Sequence, residues 1–267
     1  MTGFNYAQPC STRFDDYLSV LDVGIRFAFQ PVIDQETGEV SGHEALVRGC
    51  SGESPAQIIA SVRPENLFYF DQACRLGAIA EAARLGLAGD LHINCTEIDP
   101  HNLELALSST HRAARENGFR PGQIVLEFNS LERLGSPRQL AAVRSRANEY
   151  GFRVTADNFG TGEAGLKRLA VLRPEFVKLD RELINGIHGS QRRQAMVMGI
   201  LATCHVLGIQ VIAAGVEQKA EIEWLRRAGI DGFQGYYFGR PELAPEADEH
   251  ATPQCDYAGV QFSACAA

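Results

Sequence analysis

The feature that most constrains this chain is a repeated alternation. Short apolar, β-branched runs are separated by longer stretches of helical period. Runs at 27–33, 40–48, 91–94, 124–128, 153–157, 176–179, 210–213 and 232–237 read as strands. Segments at 66–86, 103–117, 137–150, 165–172, 191–207 and 218–228 read as helices, and Gly118, Gly151, Gly208 and Gly229 stand where four of them should stop. Asp34-Gln35-Glu36-Thr37-Gly38 joins the first two strands over the length of a hairpin. Thereafter strand and helix alternate. This order predicts an α/β fold, a modified (β/α)8 TIM-like barrel with one antiparallel strand supplied by an N-terminal hairpin. An open doubly wound sheet is the structural alternative. The barrel is expected over 21–243, with 1–20 as an N-terminal extension and 244–267 as an Ala/Pro/Glu-rich C-terminal tail.

Composition narrows the function classes. A chain of 267 residues with 45% apolar content suffices for one such barrel. A net charge of −8 argues against direct nucleic-acid binding, which needs clustered Lys and Arg on the phosphate backbone. An acidic protein can still take a small phosphodiester if metal ions carry the positive charge. Arg192-Arg193 and Arg226-Arg227 read as solvated helix faces. No apolar run of membrane-spanning length occurs, and residues 1–11 lack the basic-then-apolar order of a secretory signal. The seven cysteines are odd in number and lack metal-ligand spacing, so they read as reduced thiols of a cytoplasmic protein.

In such barrels chemistry gathers at the C-terminal ends of the strands. Those positions hold Glu44, Asn94, Glu127, Asp157, Lys178, Gln234 and, just past its strand, Glu217. Any one of them alone reads as an ordinary strand-end polar residue. As a set, at the same end of different strands, they read as metal-ligand oxygens with one ammonium. Hard oxygens without His or Cys pairs point to Mg²⁺ or Mn²⁺ rather than Zn²⁺. His43, His92 and His205 read as structural. A metal facing a phosphodiester would polarise it and activate water, with Lys178 holding that water or a phosphate oxygen. The residues alone therefore reach a metal-dependent phosphoester site.

Seven motifs in order, each on an expected strand, resemble the EAL family of cyclic di-GMP proteins over roughly 27–241. They are Gln30-Pro31, Glu44-Ala45-Leu46 with Arg48, Asn94, Glu127, Asp157-Asn158-Phe159-Gly160-Thr161-Gly162, Lys178-Leu179-Asp180 and Gly215-Val216-Glu217 with Gln234-Gly235-Tyr236-Tyr237-Phe238. Active members of that family hydrolyse cyclic di-GMP to linear pGpG with two Mg²⁺ or Mn²⁺ ions. By position, the resemblance implies a metal site of Glu44, Asn94, Glu127 and Asp157. It implies a ligand pocket along Gln30, Glu44, Leu46, Arg48, Asn94, Asp157, Lys178, Asp180 and Gln234. Lys178 would face the water, and Glu217 would support the site from its rim. It also implies pairing into a homodimer near the Asp157–Gly162 loop.

Three positions depart from the family pattern. Asn158 replaces the second Asp of the family's DD pair, which helps hold the second metal. Ala214 replaces the Glu of its AEGVE motif, the candidate general base. Ser130 replaces a Glu that anchors the loop. A positioned general base is worth about 10²–10⁴ in rate. The expected outcome is a cyclic di-GMP-binding signalling domain with absent or very weak phosphodiesterase activity and one Mg²⁺ or Mn²⁺ site rather than two. An active phosphodiesterase, with Asp180 or Glu163 compensating, is one alternative. The other is a protein-binding regulator that ignores the nucleotide, like degenerate stand-alone members that control flagellar transcription through a protein partner.

Overall fold

A computed structural model describes residues 24–96, 101–129, 131, 134–160 and 166–244. The extension at 1–20, Ser130, the loop positions 161–165 and the tail from 245 lie outside the described residues. The strands are β1 (Ile25–Asp34), β2 (Val40–Gly49), β3 (Asp90–Asn94), β4 (Ile124–Phe128), β5 (Arg153–Phe159), β6 (Phe176–Leu179), β7 (Gln210–Ala213), β8 (Gly232–Phe233) and β9 (Glu242–Leu243). The α-helices are α1 (Pro55–Ser61), α2 (Leu67–Arg84), α3 (Leu103–Glu116), α4 (Pro137–Glu149), α5 (Leu166–Leu172), α6 (Arg181–Ile184), α7 (Gln191–Leu207) and α8 (Lys219–Ala228).

Strands β2 to β8 run parallel in chain order, and β1 closes the ring by pairing antiparallel with both β2 and β8. This is the expected modified barrel, and the open sheet is excluded by the closure. The hairpin register sets Gln30 opposite Glu44. Local chemistry explains the helix limits. Ser136 caps α4 in a capping box with Gln139, ahead of Pro137. Gly208 and Gly229 end α7 and α8 in the left-handed conformation, with φ of 70° and 87°.

Two expectations change. The run at 232–237 is a strand only over Gly232–Phe233. The backbone at Gly235 lies so close to Val216 that a Cβ there would sit 2.1 Å from the Val216 carbonyl oxygen, and Phe238 N–H donates back to Gly235 O. The chain therefore turns across the strand end. Residues 242–244, expected at the border of a peripheral tail, are tied to β1: β9 pairs with Ala28 and Phe29, and Ala244 N–H donates to Phe27 O. The short helices α1 and α6 carry no periodicity long enough to be read from sequence.

The described residues form two apolar clusters. The larger one lies between the barrel wall and the helices, and includes Leu76, Ile79, Leu107, Leu140, Leu201 and Leu225. Each such side chain contributes about 1.5–3 kcal/mol by leaving water. The smaller one joins Val32, Val125, Phe176 and Ile212. These come from β1, β4, β6 and β7, and neighbours in that set such as β4 and β6 are not adjacent strands, so they meet across the barrel interior. Because strand side chains alternate, the next inward layer begins two residues further along. That layer is polar.

Candidate functional site

Two residues beyond Val125 and Phe176 stand Glu127 and Lys178, joined by Glu44 of β2 and by Gln234 just past β8. These four come from alternate strands, the layering expected inside a (β/α)8 barrel. Lys178 Nζ donates to Glu44 Oε2 at 2.7 Å and to both oxygens of Glu127 at 3.0 and 3.1 Å. Gln234 Nε2 donates to the same Glu44 oxygen at 2.7 Å and to Gln30 Oε1 at 3.3 Å. Gln30 Nε2 in turn donates to Gly239 O. All five side chains are buried.

The electrostatics follow from one ammonium shared among three carboxyls. Burial favours the neutral Glu44, but the Lys178 charge and hydrogen bonds from Lys178, Gln234 and Asn94 outweigh it and hold its pKa at about 2. Glu127 is pushed up to about 8 by burial and by the Glu44 charge, against the pull of Lys178. Asp157 is pushed up to about 7 by burial and by Glu127 and Glu44. Lys178 itself is raised, its burial overcome by the surrounding carboxylates. His92 faces Glu127 through Nδ1 at 2.9 Å, and burial with the nearby Lys178 charge lowers it to about 3, so the ring is neutral.

At the rim, Asn94 Nδ2 donates to Glu44 Oε1 at 3.3 Å, and Asn158, with φ of 51°, donates to Asp157 Oδ2 at 3.1 Å. A cavity of about 290 Å³ opens here, reached by Glu44, Leu46, Asn94 and Asp157 and continuing between Ile59 and Phe70. Its far wall includes Asp71, whose Oδ1 accepts from Thr96 N–H and Oγ1–H at 3.0 and 2.9 Å while its other oxygen pairs with buried Arg75.

The other sequence-derived residues lie apart from this cluster. Arg48 donates to the Val47 carbonyl. Asp180 caps α6 by accepting from Glu182 N–H. Glu217 pairs with Arg181 at 2.8 Å on the exposed edge. Ala214 follows β7, its N–H donates to Leu179 O, and its methyl side chain brings no acid or base. Sequence reasoning gave no site role to Asn129, His92 or Asp71. The first two carried a signal: Asn129 is two residues beyond Glu127 and His92 two before Asn94, the spacing that shares a strand face.

Among the described residues no three His, Cys, Asp or Glu side chains converge on one point to hold a metal by themselves. The donor chemistry nevertheless fits a hard divalent cation: all donors are oxygens, and the three carboxyls, once ionised in a cation's field, would outnumber the one ammonium. Glu44, Asn94, Glu127 and Asp157 are the residues that would hold it.

A closed barrel carrying a buried carboxylate–lysine layer at its strand ends defines a class of enzymes and binding domains rather than one activity. The family is specific. The chain belongs to the EAL domain family, whose model matches residues 20–241. It is similar to a standalone EAL protein from Vibrio cholerae solved with c-di-GMP bound, with 37% identity, a TM-score of 0.78, and coverage of 85% of this chain and 98% of that one. It is also similar to Klebsiella pneumoniae BlrP1 in a manganese and cyclic di-GMP complex, at 33% identity and TM-score 0.77, covering 84% of this chain and 58% of that one. Among curated proteins, the blue light- and temperature-regulated antirepressor BluF of Escherichia coli is 33% identical over 220 residues, 81% of this chain and 54% of that protein. The chain thus spans about half the length of that relative. Among the described residues no helix is long and apolar enough to cross a membrane.

Proposed function

We propose that this chain is a cyclic di-GMP-binding signalling domain whose phosphodiesterase turnover is absent or very weak. The observation that carries this reading is the contrast within one site. The buried layer of Glu44, Glu127, Lys178, Gln30 and Gln234 is complete and paired, and it adjoins a cavity of about 290 Å³. Beside it, the position of the candidate general base holds Ala214, and the position that would help hold a second metal holds the uncharged Asn158. Similarity to proteins solved with the nucleotide bound supports cyclic di-GMP as the ligand.

In this reading Glu44, Asn94, Glu127 and Asp157 hold one Mg²⁺ or Mn²⁺, which would polarise a phosphodiester oxygen. Lys178, charged and held by Glu44 and Glu127, keeps the layer in place and faces the ligand. Gln234 and Gln30 orient Glu44. Leu46 forms cavity wall, and Arg48 stands beside it to meet a phosphate or a guanine edge. Glu217 and Asp180 shape the rim through Arg181 and the α6 cap. Without a general base, the water that attacks phosphorus keeps its proton, which costs about 10²–10⁴ in rate.

A second reading is favoured by one observation. The helix α7 leaves Met196, Met198, Val206 and Leu207 exposed at separate points around its surface, apolar side chains that a second copy of the chain or another protein could contact. The chain would then regulate by gripping a partner and ignore the nucleotide. The direct test is incubation with cyclic di-GMP in Mg²⁺ or Mn²⁺ followed by chromatography. Nucleotide recovered intact after hours supports the proposal; conversion to pGpG on the order of 1 s⁻¹ or faster would mark an active enzyme.

A further inference from the structure

Asn129 belongs to none of the motifs above, yet it is the centre of a run of hydrogen bonds crossing the strand ends. Asn158 Nδ2 donates to Asn129 Oδ1 at 3.1 Å, and Asn129 Nδ2 donates to Asn94 Oδ1 at 2.7 Å. Asn94 Nδ2 then donates to Glu44 Oε1 at 3.3 Å. Every amide donates in the same sense, so the ladder ends on an anion, where a hydrogen bond is strongest. It links β5 to β2 through β3 and the end of β4. Asn158 enters it from the left-handed region, which Asn adopts more readily than most residues.

None of the three amides carries charge. Their hydrogen bonds join strand ends that a cation would join by attraction to the carboxylates. The charges agree with this. With a cation present to favour their ionised forms, Glu44, Glu127 and Asp157 against Lys178 leave two negative charges. One divalent ion neutralises them, whereas a second would bury two positive charges.

We propose that Asn129 is a positioning residue: through Asn94 and Asn158 it holds the strand ends in binding geometry without a metal, and the uncharged ladder limits the site to one divalent ion. This rests on the cyclic di-GMP reading for its ligand, though not for its metal count. The ladder makes nucleotide affinity nearly independent of metal. Removing its centre makes affinity depend on metal.

The test uses the full chain and three variants, with Mn²⁺ counted by electron paramagnetic resonance and cyclic di-GMP binding measured by calorimetry in EDTA and in Mn²⁺. Wild type should take up one Mn²⁺, and Asn158→Asp two. Asn129→Ala should weaken nucleotide binding about tenfold in EDTA and no more than about threefold in Mn²⁺, as expected for two lost hydrogen bonds that an ion can replace. Asn129→Asp should match Asn129→Ala in EDTA and recover in Mn²⁺, because its charge attracts the ion. A merely structural role would weaken binding equally in both conditions, and that result, or no loss at all, would overturn the proposal. If wild type binds no nucleotide in either condition, the ligand reading fails and the Mn²⁺ counts decide alone. One ion rising to two in Asn158→Asp upholds the ladder; two in wild type, or no rise in the variant, overturns it.

Discussion

The floor and the rim of the site are built from the same strands but on different terms. On the floor, Glu44 and Glu127 meet the charged Lys178 by hydrogen bonds of 2.7–3.1 Å, all three side chains buried. At the rim, Asn94, Asn129 and Asn158 meet as neutral amides, and Ala214 stands where the resemblance leads one to expect an acid. A buried ion cluster cannot lose one member without stranding the others, so the fold itself preserves the floor. Of the rim residues, Asn94 and Asn129 line the cavity, and as neutral groups the rim residues can change without stranding a buried charge. The contrast teaches that a pocket can keep its shape and ligand contacts after the groups that move protons have gone.

That comparison can be broken most forcefully by rebuilding the rim. Asn158→Asp combined with Ala214→Glu should raise hydrolysis of cyclic di-GMP by about 10²–10⁴ while leaving nucleotide affinity within a few-fold, measured by chromatography and calorimetry. Next in size is an attack on the floor. Lys178→Met leaves buried carboxylates without their ammonium and should cost about 3–5 kcal/mol in denaturant unfolding without metal, with part of the loss recovered in Mn²⁺. Removing a neutral floor group should cost less. Gln234→Ala deletes donors to Glu44 and Gln30, and about 1–3 kcal/mol is expected in the same assay. The smallest effect belongs to the outer edge: Glu217→Gln breaks a half-exposed pair with Arg181 and should change stability by less than about 1 kcal/mol. If Glu217→Gln cost more than Lys178→Met, the division into floor and rim would be wrong.

The architecture was legible in the sequence because a parallel barrel repeats its punctuation. Buried strands such as Ile124–Phe128 are continuous apolar runs around one acid, and the helices between them stop at glycines such as Gly208 and Gly229. The end of β8 was not legible. Gln234-Gly235-Tyr236-Tyr237 has strand composition, and only the close approach of Gly235 to Val216 turns it aside. The floor residues could be singled out because acids inside apolar runs are conspicuous. Asn129, His92 and Asp71 were not conspicuous, since an Asn after a strand, a His within one and an Asp on a helix are ordinary. Their partners Asn94, Glu127 and Thr96 come from other elements, and only folding brings them together.

The measurement that bears most directly on the central claim is calorimetric titration of the whole chain with cyclic di-GMP, with chromatography of the titrated mixture afterwards. The account predicts saturable binding at one nucleotide per chain, micromolar or tighter, with the nucleotide recovered intact. No heat of binding with intact nucleotide would contradict the retained pocket, and recovery of pGpG would contradict the lost chemistry.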